Sequence, residues 1–228
     1  MRGASTAAGR DPAQVALLAV SKTFPAAHVL EAIAAGQRAF GENYLQEALD
    51  KIADIKAALP RAHVEWHFIG PIQSNKTRSI AASFDWVHTV ERLKVAERLS
   101  AQRPAGLAPL NVCIQVNISG EASKSGAAPG ELPELARQVA LLPNLKLRGL
   151  MAIPAPEIDA ARQRAAFARL RALADALREG GLDLDTLSMG MSADMAAAIA
   201  EGATIVRVGS AIFGDRSTAI SINGQPNT

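Results

Sequence analysis

The chain has 228 residues, of which 49% are apolar and 20% are charged, and its formal net charge is +2. This composition is typical of a globular protein, and the length suits one domain covering residues 1–228. Scattered charges and only 4% aromatic residues argue against nucleic-acid binding, and no apolar run is long enough to span a membrane. No secretory leader opens the chain, and its single cysteine, Cys113, lies in an apolar run. We therefore expect a cytoplasmic protein without an intramolecular disulfide.

Eight apolar, strand-like runs alternate with segments rich in helix-forming residues. The runs cover 15–20, 39–43, 66–70, 86–90, 111–118, 147–153, 186–190 and 204–209. Parallel strands joined by helical crossovers account for this alternation. The eight units predict an α/β fold, a closed (β/α)8 barrel of the TIM-barrel type, with an open doubly wound sheet as the alternative.

The two ends of the chain lie outside this repeat. Residues 1–14 precede the first predicted strand, and Gly3 and Gly9 weaken any helix there. The polar tail over 217–228 is expected to fray. Inside the repeat, Pro25 is expected to open a helix over 25–36.

A lysine, Lys22, follows the first predicted strand. In a barrel of this type the C-terminal ends of the strands gather at the working face. Burial disfavours the ammonium form of a lysine, and the neutral amine is the form that attacks a carbonyl carbon. Lys22 is therefore a candidate for covalent chemistry with an aldehyde, and a solvated lysine just past a strand end is the alternative.

The loops after the last two strands resemble an anion site. Ser192 is predicted to cap a helix over 193–201, whose free N–H groups and dipole attract negative charge. Gly209 and Ser210 add bare backbone and a hydroxyl group, and these two loops frequently bind phosphate on this barrel. A lysine facing a phosphate site suggests pyridoxal 5′-phosphate, which is an aldehyde carrying a phosphate. Helix capping and close packing alone are the alternative.

Seven segments carry a family resemblance, and the match covers nearly the whole chain, in order, from about residue 9 to residue 214. They are 19–23 (AVSKT), 40–44 (FGENY), 66–71 (WHFIGP), 73–76 (QSNK), 148–154 (RGLMAIP), 189–192 (MGMS) and 207–214 (RVGSAIFG). These segments closely resemble the pyridoxal phosphate homeostasis protein family. That family is similar to the barrel domain of bacterial alanine racemase, a fold-type III pyridoxal phosphate protein.

The resemblance implies a set of cofactor-binding residues: Lys22, Asn43, Ser192, Arg207, Gly209 and Ser210. It makes Lys22 the Schiff-base lysine that holds the cofactor as an internal aldimine, and it assigns the phosphate to the two serines and Gly209. Arg207 approaches the pyridine nitrogen, where a permanent positive charge disfavours ring protonation and weakens the ring as an electron sink. Asn43 is expected beside the cofactor in preference to Tyr44.

The resemblance also implies a non-catalytic function in buffering or delivering pyridoxal phosphate. We expect a monomer that makes transient contact with pyridoxal phosphate-dependent apoenzymes. In the racemase, a tyrosine base comes across a dimer from an additional β domain. Here Tyr44 is the one tyrosine and the chain ends soon after the eighth strand, so we expect that domain to be absent. The alternative function is an amino-acid racemase, or a related pyridoxal phosphate enzyme that acts on a small amino acid. A scaffold that has lost its ligand is a third alternative.

Several other residues keep two interpretations. His67 is either a strand histidine with a satisfied hydrogen bond or a neighbour of the cofactor. Lys124, in a loop over 120–126, and Lys76 offer further amines for the aldehyde, with solvated lysines as the alternative. No spacing of histidines, cysteines or carboxylates predicts a metal site. Residues 1–14 are shorter than the helix that usually opens this family, which leaves the packing at the base of the barrel open.

Overall fold

The structure, a computed structural model, describes residues 1–121 and 124–214. Its strands are β1 (Ala16–Val20), β2 (Ala39–Glu42), β3 (Glu65–Phe68), β4 (Trp86–Val90), β5 (Leu110–Gln115), β6 (Leu145–Met151), β7 (Thr186–Ser188) and β8 (Ile205–Val208). Its helices are α1 (Arg2–Ala7), α2 (Ala26–Ala34), α3 (Leu45–Ala58), α4 (Thr77–Ser83), α5 (Leu93–Gln102), α6 (Leu132–Ala140), α7 (Ala160–Glu179), α8 (Met195–Ala200) and α9 (Ser210–Phe213). Short 3₁₀ turns cover Pro12–Gln14 and Ser74–Lys76.

The strands form one closed parallel barrel in which each strand pairs with its neighbour in sequence. Strand β8 closes the barrel against β1, and the closing register pairs Leu18 with Arg207. The predicted (β/α)8 barrel is therefore confirmed, and the open doubly wound sheet is excluded. All eight predicted strands are present, with boundaries that differ from the prediction by at most three residues.

Apolar side chains form two separate clusters. The larger cluster fills the layer between the strands and the surrounding helices, where Phe40, Phe68 and Phe167 are fully buried. A smaller cluster fills the inside of the barrel and contains Leu18, Trp86, Cys113, Met151 and Ile205. Burial raises the pKa of the Cys113 thiol to about 12, so this cysteine is a neutral packing residue.

Polar residues also occupy the inside of the barrel. His67, His88, Ser188 and Arg207 are all buried and lie on strands β3, β4, β7 and β8. Buried polar groups are destabilising unless they are hydrogen-bonded. Hydrogen bonds among these four side chains satisfy this requirement. Through Arg207 they extend to the site described below.

The N-terminal segment is attached to the base of the barrel. Helix α1 forms although Gly3 lies within it, but it is only six residues long, and Gly9 follows it with a φ of +67°. Arg10 Nη1 donates hydrogen bonds to the carbonyl oxygens of Ile199 at 2.9 Å and Ala203 at 2.7 Å. The short segment thus packs against α8 and the loop that enters β8.

Three further expectations from the sequence concern helix α2, membrane-spanning helices and the C-terminal tail. Helix α2 begins at Ala26 with Pro25 at its N-cap, as predicted. In residues 1–121 and 124–214, no helix combines the length and the apolar character needed to cross a membrane. The predicted fraying of residues 217–228 falls outside the described residues.

Candidate functional site

A cavity of about 670 Å³ opens at the C-terminal ends of the strands. Its lining residues are Val20, Lys22, Asn43, Ile69, Ile153, Met191, Ser192, Ala193, Arg207, Gly209 and Ser210. The structure therefore brings all six residues of the sequence prediction to one cavity. They come from the ends of β1, β2, β7 and β8 and from the loops that follow these strands.

Lys22 reaches the cavity from a tight turn after β1. The next residue, Thr23, has a φ of +68°, a left-handed conformation that is unfavourable for a β-branched residue. The Thr23 N–H donates to Glu47 Oε1 at 2.6 Å, and the Phe24 N–H donates to the Ser21 carbonyl oxygen at 3.1 Å. These bonds hold the strained backbone that directs Lys22 into the cavity.

A group of charged and polar residues lies behind this turn, and we call Ser21, Glu42, Glu47 and Lys51 the Lys51 clamp. All but Glu47 are buried. Lys51 Nζ donates to the Ser21 carbonyl oxygen at 2.8 Å, to Glu42 Oε1 at 2.6 Å and to Glu47 Oε1 at 3.0 Å. The Ser21 hydroxyl donates to Glu42 Oε1 at 2.6 Å. Burial raises the pKa of Glu42, and the charge of Lys51 opposes that rise. The clamp fixes the residues on both sides of Lys22.

Asn43 contributes an unsatisfied acceptor to the cavity lining. Its Oδ1 is buried and accepts no hydrogen bond from the described residues. The backbone of Asn43 lies so close to Gly70 that a Cβ at that glycine would be 2.0 Å from the Asn43 carbonyl oxygen. Because buried polar atoms are almost always paired in native proteins, Asn43 Oδ1 is a fitting partner for a ligand hydroxyl.

Arg207 is a buried cation, and only 4% of its surface is exposed. Its Nη1 donates to the Ser188 carbonyl oxygen at 2.8 Å and to Ser188 Oγ at 2.7 Å, and Nη2 donates to the Ala152 carbonyl oxygen at 3.0 Å. Burial lowers the pKa of Arg207 to about 10, so the guanidinium stays charged at neutral pH. The partners are neutral oxygens, so the positive charge is available to an anionic ligand.

The anion-binding end of the cavity contains Ser192, Gly209 and Ser210. Helix α9 begins at Ser210, with Gly209 at its N-cap. The first N–H groups of a helix have no intrahelical acceptor, so they are available to a negatively charged ligand. Ser192 and Ser210 are exposed at the cavity surface, which leaves their hydroxyl groups accessible.

The prediction that Ser192 caps a helix over 193–201 is wrong. Helix α8 begins at Met195, and Asp194 occupies its N-cap position. Asp194 Oδ1 accepts a hydrogen bond from the Met191 N–H at 2.6 Å, while the Asp194 N–H donates to the Met191 carbonyl oxygen at 3.2 Å. This aspartate turn occupies the first residues of the predicted helix. Ser192 therefore lines the cavity from a turn, by its hydroxyl group and not by a capping role.

Sequence reasoning missed the apolar wall of the cavity and the Lys51 clamp. Ile153 and Met191 are 41% and 42% exposed, and they follow strands β6 and β7 in segments that the motifs already contained. Their position just after strand ends was the signal that could have placed them in the cavity lining. Lys51 lies within an amphipathic helix, and nothing in its spacing distinguishes it from a solvated lysine.

Four residues with open interpretations lie outside the cavity lining. Tyr44 is 54% exposed, and His67 is a barrel histidine with both ring nitrogens hydrogen-bonded. Lys76 is exposed, and Lys124 lies 4.0 Å from the Glu121 carboxylate. The part of the chain that the structure describes contains no group of three metal-ligating side chains.

Comparison with known proteins identifies the family. The family model for the N-terminal domain of alanine racemase matches residues 4–217. A pyridoxal phosphate homeostasis protein from Pseudomonas aeruginosa is 68% identical over 216 residues, which cover 95% of this chain and 91% of that protein. The chain belongs to the pyridoxal phosphate homeostasis protein family. A pyridoxal phosphate homeostasis protein from Escherichia coli K12 is 57% identical over 213 residues, which cover 93% of this chain and 91% of that protein.

Solved structures of relatives have the same barrel. PipY from Synechococcus elongatus with pyridoxal phosphate bound is 40% identical, with a TM-score of 0.81 over 93% of this chain and 98% of that chain. Alanine racemase from Corynebacterium glutamicum is 21% identical, with a TM-score of 0.67 over 99% of this chain and 61% of that chain. The likeness to the racemase is one of fold alone.

Proposed function

We propose that this protein binds pyridoxal 5′-phosphate at the barrel mouth and takes part in its homeostasis, by buffering the cofactor or by delivering it. The convergence of Lys22, Arg207 and the Ser192 and Ser210 hydroxyls on one cavity carries the proposal. Membership of the homeostasis family and the bound cofactor in PipY support it. We further propose that residues 1–228 form a single cofactor-binding domain.

Each proposed site residue has a distinct task. When bound, pyridoxal 5′-phosphate supplies an aldehyde that condenses reversibly with a primary amine, releasing water, and a phosphate that carries negative charge. Lys22 supplies the amine, and the Lys51 clamp holds the turn that presents it. Ser192, Ser210 and the N–H groups at the start of α9 donate to the phosphate. Asn43 Oδ1 accepts a hydrogen bond from the ligand.

The same lining argues against catalysis. Within the described residues, Lys22 and Arg207 are the only titratable side chains that line the cavity. Racemisation requires a second group to move a proton at the opposite face of the substrate carbon, and Tyr44 does not line the site. The charge of Arg207 also disfavours a protonated pyridine ring, which weakens carbanion stabilisation. We therefore favour a monomeric carrier that transiently contacts apoenzymes over a racemase.

Two assays on the cofactor-loaded protein test this function. In the first, L-alanine is incubated with the loaded protein and its chirality is followed, with an equal concentration of free cofactor as the reference. In the second, the loaded protein is mixed with the apo form of a pyridoxal phosphate-dependent enzyme, and recovered activity is timed. We expect no racemisation above the free cofactor and full reactivation of the apoenzyme. Racemisation well above the reference would support the racemase instead.

A further inference from the structure

A continuous chain of hydrogen bonds crosses the inside of the barrel and ends at Arg207. Arg207 Nη1 lies 2.7 Å from Ser188 Oγ, and Ser188 Oγ lies 2.8 Å from His88 Nδ1. His88 Nε2 then lies 2.8 Å from His67 Nδ1, and His67 Nε2 lies 2.8 Å from Glu65 Oε1. The chain links the cation at the mouth to a carboxylate at the start of strand β3.

Arg207 and Glu65, at the two ends of this hydrogen-bond chain, fix the direction of every hydrogen bond in it. A guanidinium can only donate, so Ser188 Oγ accepts from Arg207, and an ionised Glu65 can only accept, so His67 donates to it from Nε2. Neutral rings then accept at Nδ1, so the Ser188 hydroxyl donates to His88 Nδ1. A neutral histidine has one donor and one acceptor, so His88 donates from Nε2 to His67, which donates from Nε2 to Glu65. Burial lowers the pKa of both histidines, well below the usual range for His88. The hydrogen bond from His67 lowers the pKa of Glu65, which keeps the acceptor end ionised.

The hydrogen-bond chain ends at Glu65, which lines a second cavity, of about 430 Å³, at the base of the barrel. The side chain of Glu65 is 40% exposed there, whereas that of His67 is 2% exposed. The His67 ring stacks on Trp86 with centroids 5.3 Å apart and planes 7° apart, and the Arg148 guanidinium lies 4.6 Å from the Trp86 ring centroid. This packing holds the buried part of the chain in one arrangement while its end remains open to solvent.

We propose that Glu65, His67, His88 and Ser188 are positioning residues for Arg207, so that the base of the barrel sets the guanidinium orientation at the mouth. The inference rests on the proposed function, in which Arg207 faces the cofactor. Without the Glu65 acceptor, no group at the base of the barrel fixes the tautomers of His67 and His88. The Ser188 hydroxyl then loses its fixed acceptor, and Arg207 loses a partner of defined orientation.

The direction of the chain can be measured in the cofactor-free protein by ¹⁵N NMR of the histidine rings. We expect both His67 and His88 at neutral pH to carry the proton on Nε2 and to leave Nδ1 unprotonated. The Nδ1–H tautomer at either residue would overturn the proposal. Because no cofactor is present, this result stays independent of the proposed function.

Variants at the base of the barrel test the effect on Arg207. Glu65→Leu removes the acceptor, Glu65→Gln keeps a carbonyl acceptor in the same place, and Gln14→Leu is a control at an exposed residue that lines the same cavity but lies outside the chain. The readout is hydrogen exchange of the Arg207 Nη1–H protons, which donate to Ser188, in cofactor-free protein labelled with ¹⁵N-arginine. We expect exchange in Glu65→Leu to accelerate roughly tenfold, the equivalent of one hydrogen bond, and exchange in the other two variants to match the wild type.

A second break in the chain keeps the test decisive if Glu65→Leu does not fold. His88→Leu interrupts the chain closer to Arg207 and should accelerate exchange to a similar extent. Affinity for pyridoxal 5′-phosphate, measured by titration, should weaken in Glu65→Leu and recover in Glu65→Gln. Wild-type exchange in both Glu65→Leu and His88→Leu would overturn the proposal, and so would equal acceleration in Gln14→Leu.

Discussion

The Lys51 ammonium and the Glu42 carboxylate form a buried ion pair, 2.6 Å apart, with 3% and 0% of their side chains exposed. The same ammonium donates to the carbonyl oxygen of Ser21, the residue that precedes Lys22. The ion pair is therefore part of the support for the proposed cofactor lysine. Its buried position makes it sensitive to the loss of either partner.

Lys51→Met should destabilise the protein by about 3–5 kcal/mol, because it leaves Glu42 as an uncompensated buried charge. Formation of the covalent link at Lys22 should also slow, since the turn loses its anchor. Urea unfolding measures the first effect, and the rate of borohydride-trappable cofactor measures the second. Lys56→Met, at an exposed position of the same helix, is the matched control and should change stability by no more than about 0.5 kcal/mol. Equal stability of the two variants would contradict the assignment.

Ser192→Ala and Ser210→Ala should each weaken cofactor binding by roughly 1–3 kcal/mol, the range for a hydrogen bond to a charged group. Titration with pyridoxal 5′-phosphate gives the affinity, and competition by inorganic phosphate should weaken in parallel. Ser74→Ala, at an exposed residue outside the cavity, serves as the control. Unchanged affinity in both site variants would mean that the phosphate binds elsewhere.

Arg207→Glu should raise proton exchange at the α-carbon of a bound amino acid, because a carboxylate permits a protonated pyridine ring. It should also weaken cofactor binding, since a charge that attracts the anion becomes one that repels it. Deuterium incorporation into alanine, measured at saturating cofactor and normalised to the bound fraction, separates the two effects. A normalised rate no higher than that of the wild type would show that Arg207 does not restrain the cofactor.

The two buried histidines predict a specific pH dependence of stability. Burial holds the pKa of His67 and His88 below the ordinary value of 6.5, so the unfolded chain binds protons there before the folded chain does. Their stabilising contribution is therefore present above pH 6.5 and is lost as the pH falls below it. The slope approaches about 1.4 kcal/mol per pH unit for each histidine.

Urea unfolding at several pH values between 7 and 5 measures the change in unfolding free energy with pH. Most carboxylates titrate below this pH range. His88→Gln, which removes one titrating ring, should reduce the slope by about the contribution of one proton. A free energy of unfolding that stays constant over this range would contradict the buried neutral state of the pair. So would an unchanged slope in the glutamine variant.

The fold and the six proposed site residues could be predicted because their signals are local. Eight apolar runs with intervening helices define a parallel barrel, and the barrel places residues at strand ends, such as Lys22 and Arg207, at one face. The family resemblance then assigned tasks to residues such as Asn43, for which spacing alone gives no role.

The Lys51 clamp and the hydrogen-bond chain from Glu65 to Arg207 were not predicted, because each depends on contacts between residues far apart in sequence. His88 and Ser188 are 100 positions apart, and neither stands out in its own strand. The mistaken cap at Ser192 has a different cause. Asp194 occupies the N-cap position two residues later, but its carboxylate accepts from the Met191 N–H and caps no helix N–H. This turn sets the start of α8, and the capping preference of single residues does not indicate it.

Borohydride reduction of the cofactor-loaded protein, followed by peptide mass spectrometry, tests the central claim most directly. Reduction converts the link between the cofactor and its lysine into a stable one, so the modified peptide identifies the amine. The cofactor should appear on the peptide that contains Lys22. Lys22→Ala should fold normally and carry no trapped cofactor, while Lys76→Ala should behave like the wild type. Cofactor trapped at Lys51, Lys76 or Lys124 in the wild type, or trapping that persists in Lys22→Ala, would contradict the proposed site.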